Sequence, residues 1–221
     1  MPRRELNLEE LEAGRRQILD VAMKLFSEQG YEGVTARSIA AALGWSPMKA
    51  YRYYRNKMAI FVAVRETAFL ELTRAMQEAG DAVTSPLDRI YASGYAYIRF
   101  ALENPHEYNL CFEVYQGDVE ENQLMSEAAV SPWELALENY RQAKRAGFLK
   151  GDVVLATHLA WIGLHGLASL RVAERLNFGR SIEDLVDPVI DCVLVRFSTG
   201  KAAIPRRTAL RTFRKFSPPG S

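Results

Sequence analysis

Apolar positions along the chain recur at the three-and-four spacing of an α-helix, and no stretch alternates at the two-residue period of a strand between turn signals. Ile18, Leu19, Ala22, Leu25 and Phe26 make one stripe, with Asn7 and Glu10 as capping-box types ahead of it and Gly30 ending it near Gln29. Thr35 opens a short second helix, Ser46-Pro47 supplies the N-cap and N1 types of a third, and Asn56 starts a long fourth to about Ala79. Ser85-Pro86-Leu87-Asp88 starts a fifth, whose body repeats Leu87, Ile90, Tyr91, Gly94, Tyr95, Ile98 and Leu102. Asn104 to Gln116 forms another, residues 117–130 are acidic and weakly patterned, and Ser131-Pro132-Trp133-Glu134 starts a helix that stops at Gly147. The last stripe runs through Ile182, Leu185, Val186, Val189, Ile190, Val193, Leu194 and Phe197, where Pro188 either kinks the helix or restarts it with Asp187 as cap. The expectation is an all-α fold of about nine helices.

One segment departs from amphipathic patterning. From Val153 to Leu170 only Thr157, His158, His165 and Ser169 interrupt an apolar run with no clear polar face, so this helix must be buried all round. Its length suits a membrane span, but two central histidines and the lack of a second such segment favour burial between its own subunit and a partner. Gly163, Gly166 and Ala160 would let helices approach closely, and with the last helix a four-helix dimer interface is expected.

The segment TARSIAAALGWSPMKAYRYYRNK meets the mechanical needs of a helix-turn-helix over about residues 35–54. Ala40 is small where two helices cross, and Gly44 can take the positive φ of a sharp turn. Ile39, Leu43, Trp45 and Ala50 lock the pair, and Ser46-Pro47 caps a helix that projects its first residues outward. Charge sharpens this reading. The 221 residues carry a net +1, but residues 1–65 carry +4, residues 66–191 carry −10 and residues 192–221 carry +7. No acidic residue lies between Glu32 and Glu66, where Arg37, Lys49, Arg52, Arg55, Lys57 and Arg65 all fall. That makes a local anion-binding surface in an otherwise acidic chain, and double-stranded nucleic acid is its expected partner. Residues 200–221, with three prolines and six basic side chains, read as a flexible basic tail.

With these residues in place, the sequence resembles the tetracycline-repressor (TetR) family of regulators. The resemblance covers about residues 12–62, centred on GWSPMKAYRYYRNK and the spacing of Tyr51, Tyr54 and Lys57. Trp161, His165 and Gly166 are similar to the Trp-His-Gly motif of one C-terminal subgroup. The resemblance implies a DNA-binding domain at residues 1–55, a helical effector-binding and dimerisation domain at 56–199, and a homodimer built by the last two long helices. It implies phosphate contacts from Thr35, Tyr51, Tyr53 and Lys57, and puts Pro47, Met48, Lys49 and Arg52 nearest the base edges, with Ser46 beside them and Arg37 on backbone or base. Lys49 would donate to guanine O6 or N7. It also implies a small-molecule effector that releases the repressor from operator DNA.

Tyr54 is expected in the core, with Tyr51 and Tyr53 facing DNA. Tyr91, Tyr95, Tyr108, Phe112, Tyr115, Trp133, His158, Trp161 and His165 are candidates for an effector pocket, although aromatics at helical spacing are more often plain core. His158 and His165 share a face, and a hydrogen-bonded core histidine is commoner than a metal ligand without a third donor, so no metal or other cofactor is expected. Cys111 and Cys192 read as free, buried thiols. No phosphate loop, nucleotide fingerprint or nucleophile elbow is present, so an enzyme is not expected. Without an export signal a cytoplasmic location is expected, with no membrane partner. The alternative function is a helical small-molecule-binding or protein-docking module that does not read DNA sequence.

Overall fold

The computed structural model describes residues 7–112 and 127–201, and apart from one isolated bridge between Leu149 and Ser198 their regular structure is helical. The nine helices among the described residues are α1 Leu8–Gly33, α2 Ala36–Ala42, α3 Pro47–Ala50, α4 Lys57–Asp81, α5 Pro86–Glu103, α6 Pro105–Phe112, α7 Glu127–Arg145, α8 Val153–Val172 and α9 Ile182–Phe197. They divide into two units: one holds the described residues up to Ala68 with those from His106 to Ala129, the other Phe69–Pro105 with the described residues from Val130 onward.

Caps fall where the residue types direct them. Asn7 and Glu10 form a reciprocal capping box on α1, and the helix breaks at Gly30, whose φ is 66°. The Asn56 side chain accepts from the Ala59 amide at 2.8 Å and so starts α4, and Ser85 accepts from the Asp88 amide to start α5. One start differs from expectation. α7 begins at Glu127 and passes through Pro132, which removes the amide that would bond the carbonyl four residues earlier without ending the helix. The expected helix from Asn104 is α6, seen as far as Phe112, and its predicted end at Gln116 lies outside the described residues.

In the first unit, Gly14, Ile18, Ala22 and Phe26 form the buried stripe of α1 and meet Ile39 of α2, and Ile60, Phe61 and Val64 of α4. Phe26, Tyr31 and Phe61 close it as an aromatic triad with centroids 4.8–6.0 Å apart. Leu110 of α6 joins the same core.

In the second unit α5 is the central rod, buried continuously from Ile90 to Ile98, with α8 and α9 packed on it and on each other. Close approach needs the glycines: a Cβ on Gly94 would stand 2.9 Å from Ile190 Cδ1, and one on Gly163 would stand 2.5 Å from Val189 Cγ1. Gly163 therefore serves packing within the chain, while a Cβ on Gly166 would meet open space. α9 runs unbroken through Pro188. Its far side carries Cys192, which is exposed and not buried as expected, because it lies opposite the stripe of Val186, Ile190 and Val193; Cys111 is buried.

The chain itself covers one side of α8. Ala156, Thr157, Ala160, Leu164, Leu167 and Ala168 are buried in the chain, but Val154, Leu155, Leu159, Trp161, Ile162 and Leu170 remain exposed. The helix is long and apolar enough to cross a membrane, and it leaves an uncharged half of its circumference uncovered by its own subunit.

Candidate nucleic-acid interface

The helix-turn-helix is held by its turn. Gly44 has φ 66°, its amide donates to the Ala41 carbonyl at 3.0 Å, and the Trp45 amide donates to the Ala40 carbonyl at 2.8 Å. This pair of bonds ends α2 and reverses the chain, and the positive φ suits glycine alone without strain. Thr35 and Ser38 form a reciprocal capping box that fixes the other end of α2. Ile39, Ala40 and Ala50 are fully or nearly fully buried, so α2 and α3 are locked through small and branched side chains.

α3 is a single turn that continues into hydrogen-bonded turns through Tyr54. Ser46 has the extended backbone of an N-cap and Pro47 stands at N1, but the Ser46 side chain makes no capping bond, so the expected firm cap rests on backbone geometry alone. Met48 is 60 % exposed and Tyr51 50 % exposed, and Arg37, Ser46, Pro47, Arg52 and Arg55 are exposed around them. All of these residues lie between Glu32 and Glu66, a window without a carboxylate.

Several basic and aromatic residues sit differently from expectation. Tyr53 is only 8 % exposed; it packs 5.3 Å from the Trp45 ring and lies so close over Gly14 that a Cβ there would be 2.2 Å from its ring. It is a core residue because α1 offers a glycine for it to cover, and its expected surface position is corrected. Tyr54, expected in the core, is half-buried beneath the Arg15 guanidinium, with its hydroxyl pKa raised by burial.

Lys57 is turned inward, its Nζ donating to the Tyr31 carbonyl at 3.0 Å and standing 3.9 Å over the Tyr31 ring. That contact balances the unfavourable placement of a cation at the start of α4. Arg65 is 8 % exposed and belongs to the interior, its Nε donating to the Leu110 carbonyl at 2.9 Å and its Nη2 to the Cys111 carbonyl at 3.0 Å. Lys49 folds its ammonium 3.7 Å over the Trp45 ring. The acid-free window thus supplies fewer outward cations than a count along the chain suggests.

The candidate pocket residues do not gather in one unit. Tyr108 and Phe112 pack with tilted rings 5.0 Å apart in the first, Tyr115 lies outside the described residues, and the others belong to the second. There Tyr91 and Tyr95, both buried, donate their hydroxyls to Asp191 and Asp187 of α9. Burial and that carboxylate push the Tyr91 hydroxyl far above the ordinary tyrosine range. Trp133, His158, Trp161 and His165 instead form a file along α7 and α8, with neighbouring centroids 4.2–6.3 Å apart, and His158 and Trp161 are exposed. His158 Nδ1 donates to the Val154 carbonyl at 2.9 Å, and His165 Nδ1 shares a 3.0 Å hydrogen bond with the Tyr97 hydroxyl. Burial holds the His165 pKa below the usual histidine value. Sequence reasoning missed Tyr97, whose position in the unbroken apolar run of α5 gave no polar signal.

Comparison with known proteins agrees with this architecture. A family model described as bacterial regulatory proteins of the tetR family matches residues 18–64, and one described as a tetracyclin repressor-like C-terminal domain matches residues 90–193. An HTH-type transcriptional repressor of Mycobacterium tuberculosis, Rv1474c, is 43% identical over 54 residues, which is 24% of this chain and 29% of that protein. The chain spans under half the length of the curated relatives it matches. Among solved structures, a protein of unknown function from Rhodococcus sp. RHA1 superposes with a TM-score of 0.72 at 23% identity, covering 90% of this chain and 99% of that one. A bacterial regulatory protein in the tetR family from Rhodococcus RHA1 follows at 0.66 and 18% identity, covering 84% and 97%.

Proposed function

This chain belongs to the tetR family of bacterial regulatory proteins, and from that premise we propose that it is a dimeric, ligand-responsive repressor of transcription acting on operator DNA in the cytoplasm. The observation that carries the reading is the open surface of α2 and α3, where Arg37, Ser46, Pro47, Met48, Tyr51, Arg52 and Arg55 stand exposed in a window without acids. Arg37, Arg55, Thr35 and Tyr51 hold phosphates and set the register, while residues 47–52 meet base edges in the major groove. For Lys49 to reach guanine it must leave the Trp45 ring, at a cost of about 0.5–1 kcal/mol for an exposed cation–π contact. A charge-assisted bond to guanine offsets that cost.

The uncovered apolar side of α8 supports a homodimer over a membrane span: residues Val153–Leu170 carry no charge, and a second copy offers the same surface by two-fold symmetry. Two α3 helices about 34–36 Å apart would enter successive major grooves, so the operator is a palindrome or near-palindrome. A small molecule bound in the second unit would release the DNA by preferring a dimer with another spacing. The relative described as a repressor supports the sign of regulation.

Selection from a random-sequence duplex pool, followed by gel shift of the winners over a series of salt concentrations, tests this reading. Enrichment of a palindrome bound far more tightly than the starting pool is the expected result. Salt-sensitive retention with no enriched sequence would reject it in favour of a module without sequence-specific binding.

A further inference from the structure

α3 presents an apolar front where DNA-reading surfaces usually present donors. Pro47 is exposed, Met48 is 60 % exposed and Tyr51 is 50 % exposed, while Ala50 is turned into the core. Met48 and Tyr51 are three residues apart and so neighbours on the outward side of the turn. The lysine of this turn is drawn aside, with Lys49 Nζ 3.7 Å over the Trp45 ring. Around the front stand Ser46, Arg37, Arg52 and Arg55, all exposed, and the window from Glu32 to Glu66 is free of acids. The patch therefore has an apolar centre within a polar, cationic margin. A purely apolar partner would leave Arg37 and Arg55 without counter-charges, whereas duplex DNA supplies phosphates for them.

The floor of the major groove offers one apolar group, the 5-methyl of thymine; every other base edge there is a donor or an acceptor. We propose that Met48 reads a thymine methyl, so that each operator half-site carries a required thymine opposite the start of α3. This rests on the DNA-binding reading above and deepens it by assigning base chemistry to an exposed apolar side chain of the helix. Methionine suits the task because its unbranched, polarisable thioether adapts to a small apolar target. Guanine or cytosine at that position would bury its polar edge against Met48 without a partner, which supplies the discrimination.

The test uses the sequence enriched from the random pool. Each thymine of the half-site is replaced in turn by deoxyuridine, which removes the methyl and keeps every hydrogen-bonding group. Binding is titrated by fluorescence anisotropy for the full chain and for its Met48→Ala and Met48→Leu variants. At one symmetric pair of positions, deoxyuridine should weaken the wild-type complex about fourfold per half-site, equivalent to the roughly 0.8 kcal/mol of one buried methyl-sized group. Met48→Leu should keep that sensitivity and Met48→Ala should lose it. Both variants should unfold with the wild-type midpoint, since Met48 lies outside the core.

A sequence that is enriched but shows no sensitive thymine would overturn the inference and leave the repressor reading standing. So would a Met48→Ala variant as sensitive as the wild type. Failure to enrich any sequence would end both.

Discussion

The ring of Tyr53 lies across the backbone of α1 at Gly14, where a methyl group would stand 2.2 Å from its Cε1. Gly14→Ala is therefore expected to lower stability by about 1–3 kcal/mol, the usual cost of overpacking, read as a shift in the denaturant midpoint. An unchanged midpoint would mean that the ring is free to move out of the core. A second residue stores strain in the opposite sense. α8 ends with the Glu174 amide donating to Arg171 and the Arg175 amide to Leu170, a closure that places Glu174 at φ 55°. That conformation is costly for any residue with a Cβ, and a carboxylate at a helix C-terminus is repelled by the last carbonyls. Glu174→Gly should stabilise the protein by about 0.5–1 kcal/mol in thermal or denaturant unfolding, net of glycine's extra chain entropy.

Among elements, α6 depends on a side chain far from it in sequence. Arg65 of α4 donates to the Leu110 carbonyl at 2.9 Å and to the Cys111 carbonyl at 3.0 Å, two charge-assisted bonds that tie α6 to α4. Arg65→Met keeps the stem and removes both donors, so stability should fall by about 2–3 kcal/mol, the range for charge-assisted hydrogen bonds. Amide exchange in the α6 segment should quicken at the same time. Loss of DNA affinity with stability intact would instead return Arg65 to the DNA-facing surface on which its charge first placed it.

For the whole molecule, the deciding feature is the uncovered side of α8. Ile162 is 62 % exposed in the single chain and stands on that side with Leu155 and Leu159. A carboxylate there costs the monomer little, but two of them would be desolvated together across a symmetric interface. Ile162→Glu is expected to sediment as a monomer at micromolar concentration, keep its helical circular dichroism, and lose the tight binding that requires two half-sites. A dimer that persists would place the interface elsewhere.

The helices were legible because five of the starts are written in neighbouring residues: Asn7 with Glu10, Thr35, Ser46-Pro47, Asn56 and Ser85-Pro86 bond or bend locally. The all-α fold and the turn at Gly44 follow from such short-range chemistry and from periodicity, which need no knowledge of what packs where, and the family was legible as a resemblance over about residues 12–62. What periodicity leaves open is which way a long side chain goes once a neighbour is available. Lys49 went to Trp45, Lys57 to Tyr31, Arg65 to the Leu110 carbonyl and Tyr53 to Gly14, each drawn by a partner at least four residues away in the chain. Periodicity likewise left open which side of α8 its own chain covers, and the fold covers the side of Ala156, Ala160, Leu164 and Leu167. Local hydrogen bonds and spacing are carried by sequence alone, whereas burial and the aim of a charge belong to contacts that exist only after the chain has folded.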